Sequence, residues 1–393
     1  MTNSAAFTRP SARAGGLLER ISLGGLSDLL VVVPPVALLA AIASFYYAST
    51  SLRLVAVALQ VGVFAYMAVT SESRDIWSIS IGLFCLCLPF ALLNCVATEY
   101  KSLIVPLCFL GGVGCSWYAL ECRKSEYIFE WPFIGLLVTT LYLILFRDYG
   151  MTEFNEIFAG ASRNGYSAML VALACAYTLS RISRGRRVSV TLIALAFACS
   201  FPLYGRSGIV STALILAVVF AGRWPRLAVA SVAILGIVVV LGYDAIALLV
   251  NVGTNFKSGL ISDRWTILAD YLAALNPQSL ATGVSFDDIL SIRENGNSPD
   301  IGFLRLHSYL GMSSMVFIAM YLLSAVEMVA QRHWVLLGLL IAVLLRTATD
   351  IIYMFGVFDF LFMPLLLFPY FRPLIYRNSA IETAGASEPK TEQ

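Results

Sequence analysis

The sequence predicts an all-α fold, a polytopic integral membrane helical bundle of about twelve transmembrane helices with one long outer loop carrying short helices. Three observations carry that prediction. Of 393 residues, 59% are hydrophobic and 13% charged, with a mean hydropathy of +0.82, whereas a soluble domain carries roughly 25% charged residues. Apolar stretches of about twenty residues recur along the chain, the helix length that crosses a hydrocarbon layer. They lack the short apolar–polar alternation of β-barrel strands. In hydrocarbon each backbone N–H and C=O must be paired within the chain, so such stretches are helices.

Residues 1–27 are predicted as a cytoplasmic N-terminal arm, because Arg9 and Arg13 are not followed directly by the apolar core and small-residue cleavage site of a signal peptide. Spans are predicted at 28–48, 54–70, 76–97, 103–121, 128–146, 165–181, 188–204, 208–222 and 227–248, so nine helices fill 28–248. Three more, at 301–328, 334–346 and 351–371, follow the loop 249–300. The stretch 372–393, rich in Glu, Ala, Ser and Thr beyond Asn378, is predicted as a disordered cytoplasmic tail.

Lys and Arg set the orientation, since positive loops stay in the cytoplasm. Arg74, Arg123, Lys124, the cluster from Arg181 to Arg187, Arg223, Arg226, Arg332, Arg372 and Arg377 all fall on alternate connections. Both termini are therefore expected inside. A net charge of +2 gives no support for nucleic acid as a partner. The eight cysteines, from Cys85 to Cys199, fall in or at the edges of the first seven spans at no metal-like spacing, and are expected as buried small hydrophobes.

The loop 249–300 is polar, of mixed charge, and faces away from the cytoplasm. A connection of that length in a compact bundle is functional or disordered. From Trp265 to Leu275 the residues Ile267, Leu268, Tyr271, Leu272 and Leu275 repeat at helical spacing, which predicts a short interfacial helix.

The most informative residues are the arginines that break the inside rule. Arg163, Arg206, Arg264, Arg293, Arg305 and Arg346 fall on the outer side, several at helix ends. A guanidinium offers a fixed fork of donors that matches phosphate oxygens two at a time. Gathered at outer membrane depth, they suggest an anionic head group, most simply a lipid-linked phosphate or diphosphate. The alternative is individual snorkelling, or pairing with Asp148, Glu156, Asp263 or Asp350.

Three stretches carry a resemblance: Ser162-Arg163-Asn164-Gly165 opening a span, the turn Tyr204-Gly205-Arg206-Ser207-Gly208-Ile209, and Ser262-Asp263-Arg264-Trp265 with Gly283-Val284-Ser285, then Asp300-Ile301-Gly302-Phe303-Leu304 and Gly311-Met312. In order and sidedness the chain resembles the bacterial polysaccharide (O-antigen and exopolysaccharide) polymerases and O-antigen ligases of the Wzy and WaaL type, over residues 150–330. It departs from the ligases where they carry a His-Asn-like pair: Ser298-Pro299-Asp300 stands there, and His307 lies two turns further in.

The resemblance implies glycosyl transfer from an undecaprenyl-diphosphate-linked glycan at the periplasmic face of the bacterial inner membrane. Arg206 and Arg264 would stabilise the diphosphate as it leaves, and Asp300 or His307 would serve the acceptor hydroxyl as base. Arg163, Arg293, Arg305 and Arg346 would bind substrate, with Trp265 and Tyr271 offering stacking faces. No metal or other cofactor is expected. Partners are the lipid-linked oligosaccharide, membrane lipid, and a chain-length regulator with other polysaccharide assembly proteins. Two alternatives stay open: a ligase acting on lipid A core or another acceptor, and a lipid-linked glycan transporter or flippase. No internal repeat of the transporter kind is visible.

Overall fold

A computed structural model describes residues 30–98, 100–203, 205–228, 263–296 and 298–377. The predicted arm 1–27, all but the first two residues of the span 227–248, the loop's first part, Tyr204 and the tail beyond 377 lie outside the described residues. Among the described residues the regular structure is entirely helical.

The order is α1 (Val33–Tyr46), α2 (Thr50–Thr70), α3 (Arg74–Thr98), α4 (Lys101–Glu121) and, after a π-helical turn at Glu126–Glu130, α5 (Trp131–Phe146). A short α6 (Met151–Glu156) precedes α7 (Arg163–Ser183), α8 (Val190–Ser200) and α9 (Arg206–Arg223). The loop contributes α10 (Asp263–Ala273), α11 (Pro277–Thr282) and α12 (Leu290–Glu294). Then come α13 (Gly302–Leu310), α14 (Ser314–Ala330), α15 (Trp334–Thr347), α16 (Met363–Leu366) and α17 (Phe368–Ile375).

Seven described helical stretches are long and apolar enough to cross a membrane, with three shorter apolar helices at Leu30–Tyr46, Val190–Ser200 and Trp334–Thr347. The predicted count of twelve is not reproduced. One predicted span lies outside the described residues, and the predicted span 351–371 is not one helix. Residues 351–355 bend irregularly, a single 3-10 turn follows at Asp359–Leu361, and α16 and α17 each start afresh. Pro364 and Pro369 sit at the first turns of those two helices, where a missing N–H costs nothing but where no helix can run through from upstream. The span predicted at 301–328 is also interrupted, by a 3-10 turn at Gly311–Ser313.

Two helices form the centre. Most of α4 and of α7 is buried, while only about a third or less of α2, α3, α5 and α9 is. The outer helices turn large apolar side chains such as Leu39, Val69, Val96, Leu145 and Phe146 outward. A water-soluble surface does not carry so much contiguous apolar area, whereas lipid solvates it.

The irregular stretch 351–367 survives in this setting because it is packed between helices and its backbone groups are satisfied by side chains. Arg305 donates to the Tyr353 and Met354 carbonyls at 2.6 and 2.8 Å, and Gln60 Nε2 to the Val357 carbonyl at 2.7 Å. Ser116 donates to the Phe360 carbonyl at 2.5 Å, and Ser324 to that of Leu366 at 2.8 Å. An unpaired backbone group in hydrocarbon costs several kcal/mol, so these side chains make the broken path possible.

The bundle has two chemically distinct ends. At one, Arg181 and Arg184 meet Glu130 at 3.3 and 3.2 Å, Arg372 meets Glu327 at 2.7 Å, and Tyr376 Oη lies 2.9 Å from His333 Nδ1. The loop helices, Arg206 and Arg346 occupy the other. All eight cysteines are free thiols, and Cys87, Cys108, Cys115, Cys175 and Cys199 are buried. In an otherwise cysteine-free protein, single cysteines at positions 186 and 287 should react with a membrane-impermeant maleimide from opposite faces of a sealed vesicle. Labelling of both from one face would contradict the two-ended bundle.

Candidate functional site

The first two motifs meet at a buried arginine. Arg346, in the last turn of α15, is fully buried; Nη2 donates to the Asn164 carbonyl at 2.6 Å and to Asp350 Oδ2 at 2.8 Å, and Nη1 donates to the Ser207 hydroxyl. One guanidinium thus ties the start of α7, the start of α9 and the exit of α15. The second carboxylate oxygen of Asp350 accepts from the Ile352 N–H at 3.1 Å, fixing the entry of the irregular stretch. The two motifs also approach directly, since a Cβ on Gly205 would fall 3.2 Å from Asn164 Oδ1; one on Gly208 would fall 1.9 Å from Ser167 Oγ, so only glycine lets α9 lie this close to α7.

Two further arginines stand over this junction. Arg206 begins α9 and is half-buried. Arg264 begins α10, is half-buried, and has no hydrogen-bond partner on Nε. Burial lowers its pKa; Asp300 and Asp350 nearby raise it, and Arg346 and Arg206 lower it again. The structure therefore brings Arg206, Arg264 and Arg346 together with Asp300 and Asp350, residues drawn from four separate stretches of chain. Three guanidiniums against two carboxylates leave the group cationic.

Ile301 is the N-cap residue of α13, and Asp300, the candidate base, holds φ +50 beside it with Oδ1 accepting from the Ser298 hydroxyl at 2.8 Å. That left-handed backbone costs a non-glycine residue roughly 1–2 kcal/mol, and the Asp300 carboxylate lies within electrostatic range of Arg264.

His307 is buried, and both ring nitrogens are engaged: Nδ1 is 2.8 Å from Tyr271 Oη and Nε2 3.0 Å from the Leu280 carbonyl. A carbonyl only accepts, so Nε2 carries the proton and Nδ1 accepts from the phenol. Burial pushes the Tyr271 phenol up, which keeps it a donor. His307 therefore fastens the loop to α13, and neither nitrogen is open to a substrate in this arrangement. Tyr271 is 2% exposed and packs with Ile267, Val284 and Ile292 in a small core of the loop, so it offers no stacking face; Trp265, 64% exposed, does.

The other expected binding residues separate. Arg305 turns away from the junction to the Tyr353 and Met354 carbonyls and lies in electrostatic range of Asp359 and Arg53. Arg293 is exposed on α12, and Arg163 is half-buried at the start of α7, its N–H donating to Asn155 Oδ1 at 3.4 Å.

A polar cavity of about 230 Å³ opens beside the loop, lined by Asn94, Asn276, Gln278, Ser279, Thr282, Gly283, Ser285, Asp288 and Ser308. Sequence reasoning did not single it out, although Asn94, a polar residue within an apolar span, was a signal for it. Asn94 Nδ2 donates to the Thr282 and Tyr309 carbonyls at 2.7 and 3.1 Å. Ser308 is 2% exposed, and its hydroxyl has no hydrogen-bond partner. Gly283, at φ +95, lies against backbone, where a Cβ would come 2.5 Å from the Ser308 carbonyl.

Comparison of the chain with protein-family models, curated proteins and solved structures returns no match.

Two stability predictions follow from these contacts. Asp350→Ala strands a fully buried guanidinium, and should destabilise the protein by about 3 kcal/mol or more, read as an earlier thermal transition in detergent. The Arg346→Met/Asp350→Leu double variant should melt later than Asp350→Ala. Gly283→Ala should cost roughly 1–3 kcal/mol through backbone strain and overpacking; an unchanged melting curve would contradict the placement of α11 against α13.

Proposed function

We propose that this chain is a polysaccharide polymerase of the bacterial inner membrane, transferring a growing glycan from undecaprenyl diphosphate to the next lipid-linked repeat unit at the periplasmic face. The observation that carries the reading is the cationic group of Arg206, Arg264 and Arg346, with Arg264 half-buried and its Nε unpartnered. It stands at the end of the bundle away from the positive loops, which the positive-inside rule assigns to the cytoplasm together with both termini.

In the reaction, an acceptor hydroxyl oxygen attacks the anomeric carbon of the donor sugar. The carbon–oxygen bond to the diphosphate breaks, and its electron pair stays on the diphosphate oxygen. The hydroxyl proton passes to a base, for which Asp300, within electrostatic range of Arg264, is the candidate. Both terminal nitrogens of the fully buried Arg346 are engaged by Ser207, Asn164 and Asp350, so it acts by holding the junction together; Arg206 and Arg264 are the cations that meet the developing charge. At an effective dielectric of about 20, one unit charge at about 4 Å is worth roughly 4 kcal/mol, about a thousandfold in rate. The hydroxyl- and amide-lined cavity suits the acceptor sugar, whose hydroxyls both donate and accept.

A second reading, a transporter for the same lipid-linked glycan, is favoured by one feature. Asp359 is fully buried in the broken stretch 351–367, with Oδ1 lacking any partner, and unwound helices with buried charge line transporter sites.

Purified protein given a lipid-linked repeat unit should build a ladder of longer products, and Arg206→Ala or Arg264→Ala should lower its rate about 10²–10³-fold with Arg264→Lys recovering only part. A single transfer to a different acceptor would indicate a ligase. Movement of the lipid across vesicles with no covalent product would replace the polymerase reading with the transporter.

A further inference from the structure

At the opposite end of the bundle a cationic cavity has no part in this chemistry. Its volume is about 270 Å³, and Arg123, Ser125, Ser183, Arg184, Arg186 and Arg377 line it, with two leucines. The arginines come from three separate places, the exits of α4, α7 and α17, so they converge in space and not merely in sequence. Arginines that only set orientation need to be in a loop; nothing requires them to share a cavity.

The charges are only partly neutralised. Arg184 bonds both Glu126 and Glu130, the second at 3.2 Å, Arg186 lies 3.9 Å from Glu126, and Arg181 lies 3.3 Å from Glu130. Arg123 and Arg377 are exposed, and their guanidiniums make no hydrogen bond or ion pair among the described residues. Five guanidiniums against two carboxylates leave three positive charges. The carboxyl ends of the three helices oppose an anion with about half a charge each, which leaves the cavity cationic.

We infer that this cavity binds a phosphate-bearing ligand. Multiple planar guanidiniums around a concave site match the several oxygens of a phosphate or diphosphate, and a neutral or cationic ligand would leave Arg123 and Arg377 uncompensated. The same chemistry can come from the head group of an anionic phospholipid at the membrane surface or from a soluble phosphate compound. The inference stands apart from the proposed function, since it uses no residue of the Arg206–Arg264 group.

The test uses the full-length protein in nanodiscs with two probes. The soluble arm titrates inorganic pyrophosphate in phosphatidylcholine nanodiscs, in an Arg264→Ala background so that the other cationic group contributes less. The lipid arm adds phosphatidylglycerol to the nanodiscs and counts retained lipid by native mass spectrometry. Saturable binding in either arm is expected, weakened at least tenfold by Arg123→Ala/Arg377→Ala, and the arm that responds identifies the source. Arg186→Ala, at an exposed position, gives the same comparison should the double variant fold poorly. Absence of saturable binding in both arms, or binding unchanged in these variants, overturns the inference.

Discussion

The buried guanidinium of Arg346 is the interaction on which the rest of this arrangement depends. A charge with no exposure in an apolar bundle needs an opposite charge and acceptors around it, and Asn164, Ser207 and Asp350 supply them to both terminal nitrogens, while Nε has no hydrogen-bond partner. Each partner belongs to a different stretch of chain. Satisfying one side chain therefore fixes where α7, α9 and the exit of α15 stand relative to one another. Arg206 follows Gly205 and precedes Ser207, so its position is inherited from that knot. Arg264 enters from the loop, and the loop's own small core, pinned to α13 through Tyr271 and His307, determines how closely it approaches.

The same rule explains the broken stretch 351–367. Its backbone would be intolerable against lipid, and it is held by side chains from α2, α4, α13 and α14 that point inward to meet it. Arg305 is the clearest case. Its place in the outer set of arginines suggested a phosphate ligand, but its Nη2 donates to two main-chain carbonyls of the broken stretch. A cation at membrane depth can serve a substrate or the backbone, and the surrounding acceptors decide which.

Much of the helical architecture was legible in the sequence because hydrocarbon imposes a simple pattern: long apolar runs, with positive charge on alternate connections. The amphipathic helix in the loop was legible for the same reason, since Ile267 and Tyr271 recur at helical spacing and both are buried. The count of twelve misled at 351–371, where composition is apolar throughout but Pro364 and Pro369 forbid one continuous helix. Within the site, the meeting of Asn164 with Ser207 and the approach of Arg264 followed from motifs that sequence reasoning had grouped. The role of His307 did not, because whether an imidazole is free or saturated depends on a tyrosine thirty-six residues away and a main-chain carbonyl. Nor did the polar cavity, whose residues come from α3, the loop and α13 and share no local pattern.

The central claim is that Arg206 and Arg264 form a diphosphate-binding pair at the junction fixed by Arg346. Affinity for an undecaprenyl-diphosphate-linked oligosaccharide, measured on protein in neutral nanodiscs with and without the Arg206→Ala/Arg264→Ala change, tests it most directly. The account predicts at least a tenfold loss of affinity in the variant, with melting in the absence of ligand close to that of the parent. Equal affinity in the two proteins would contradict it.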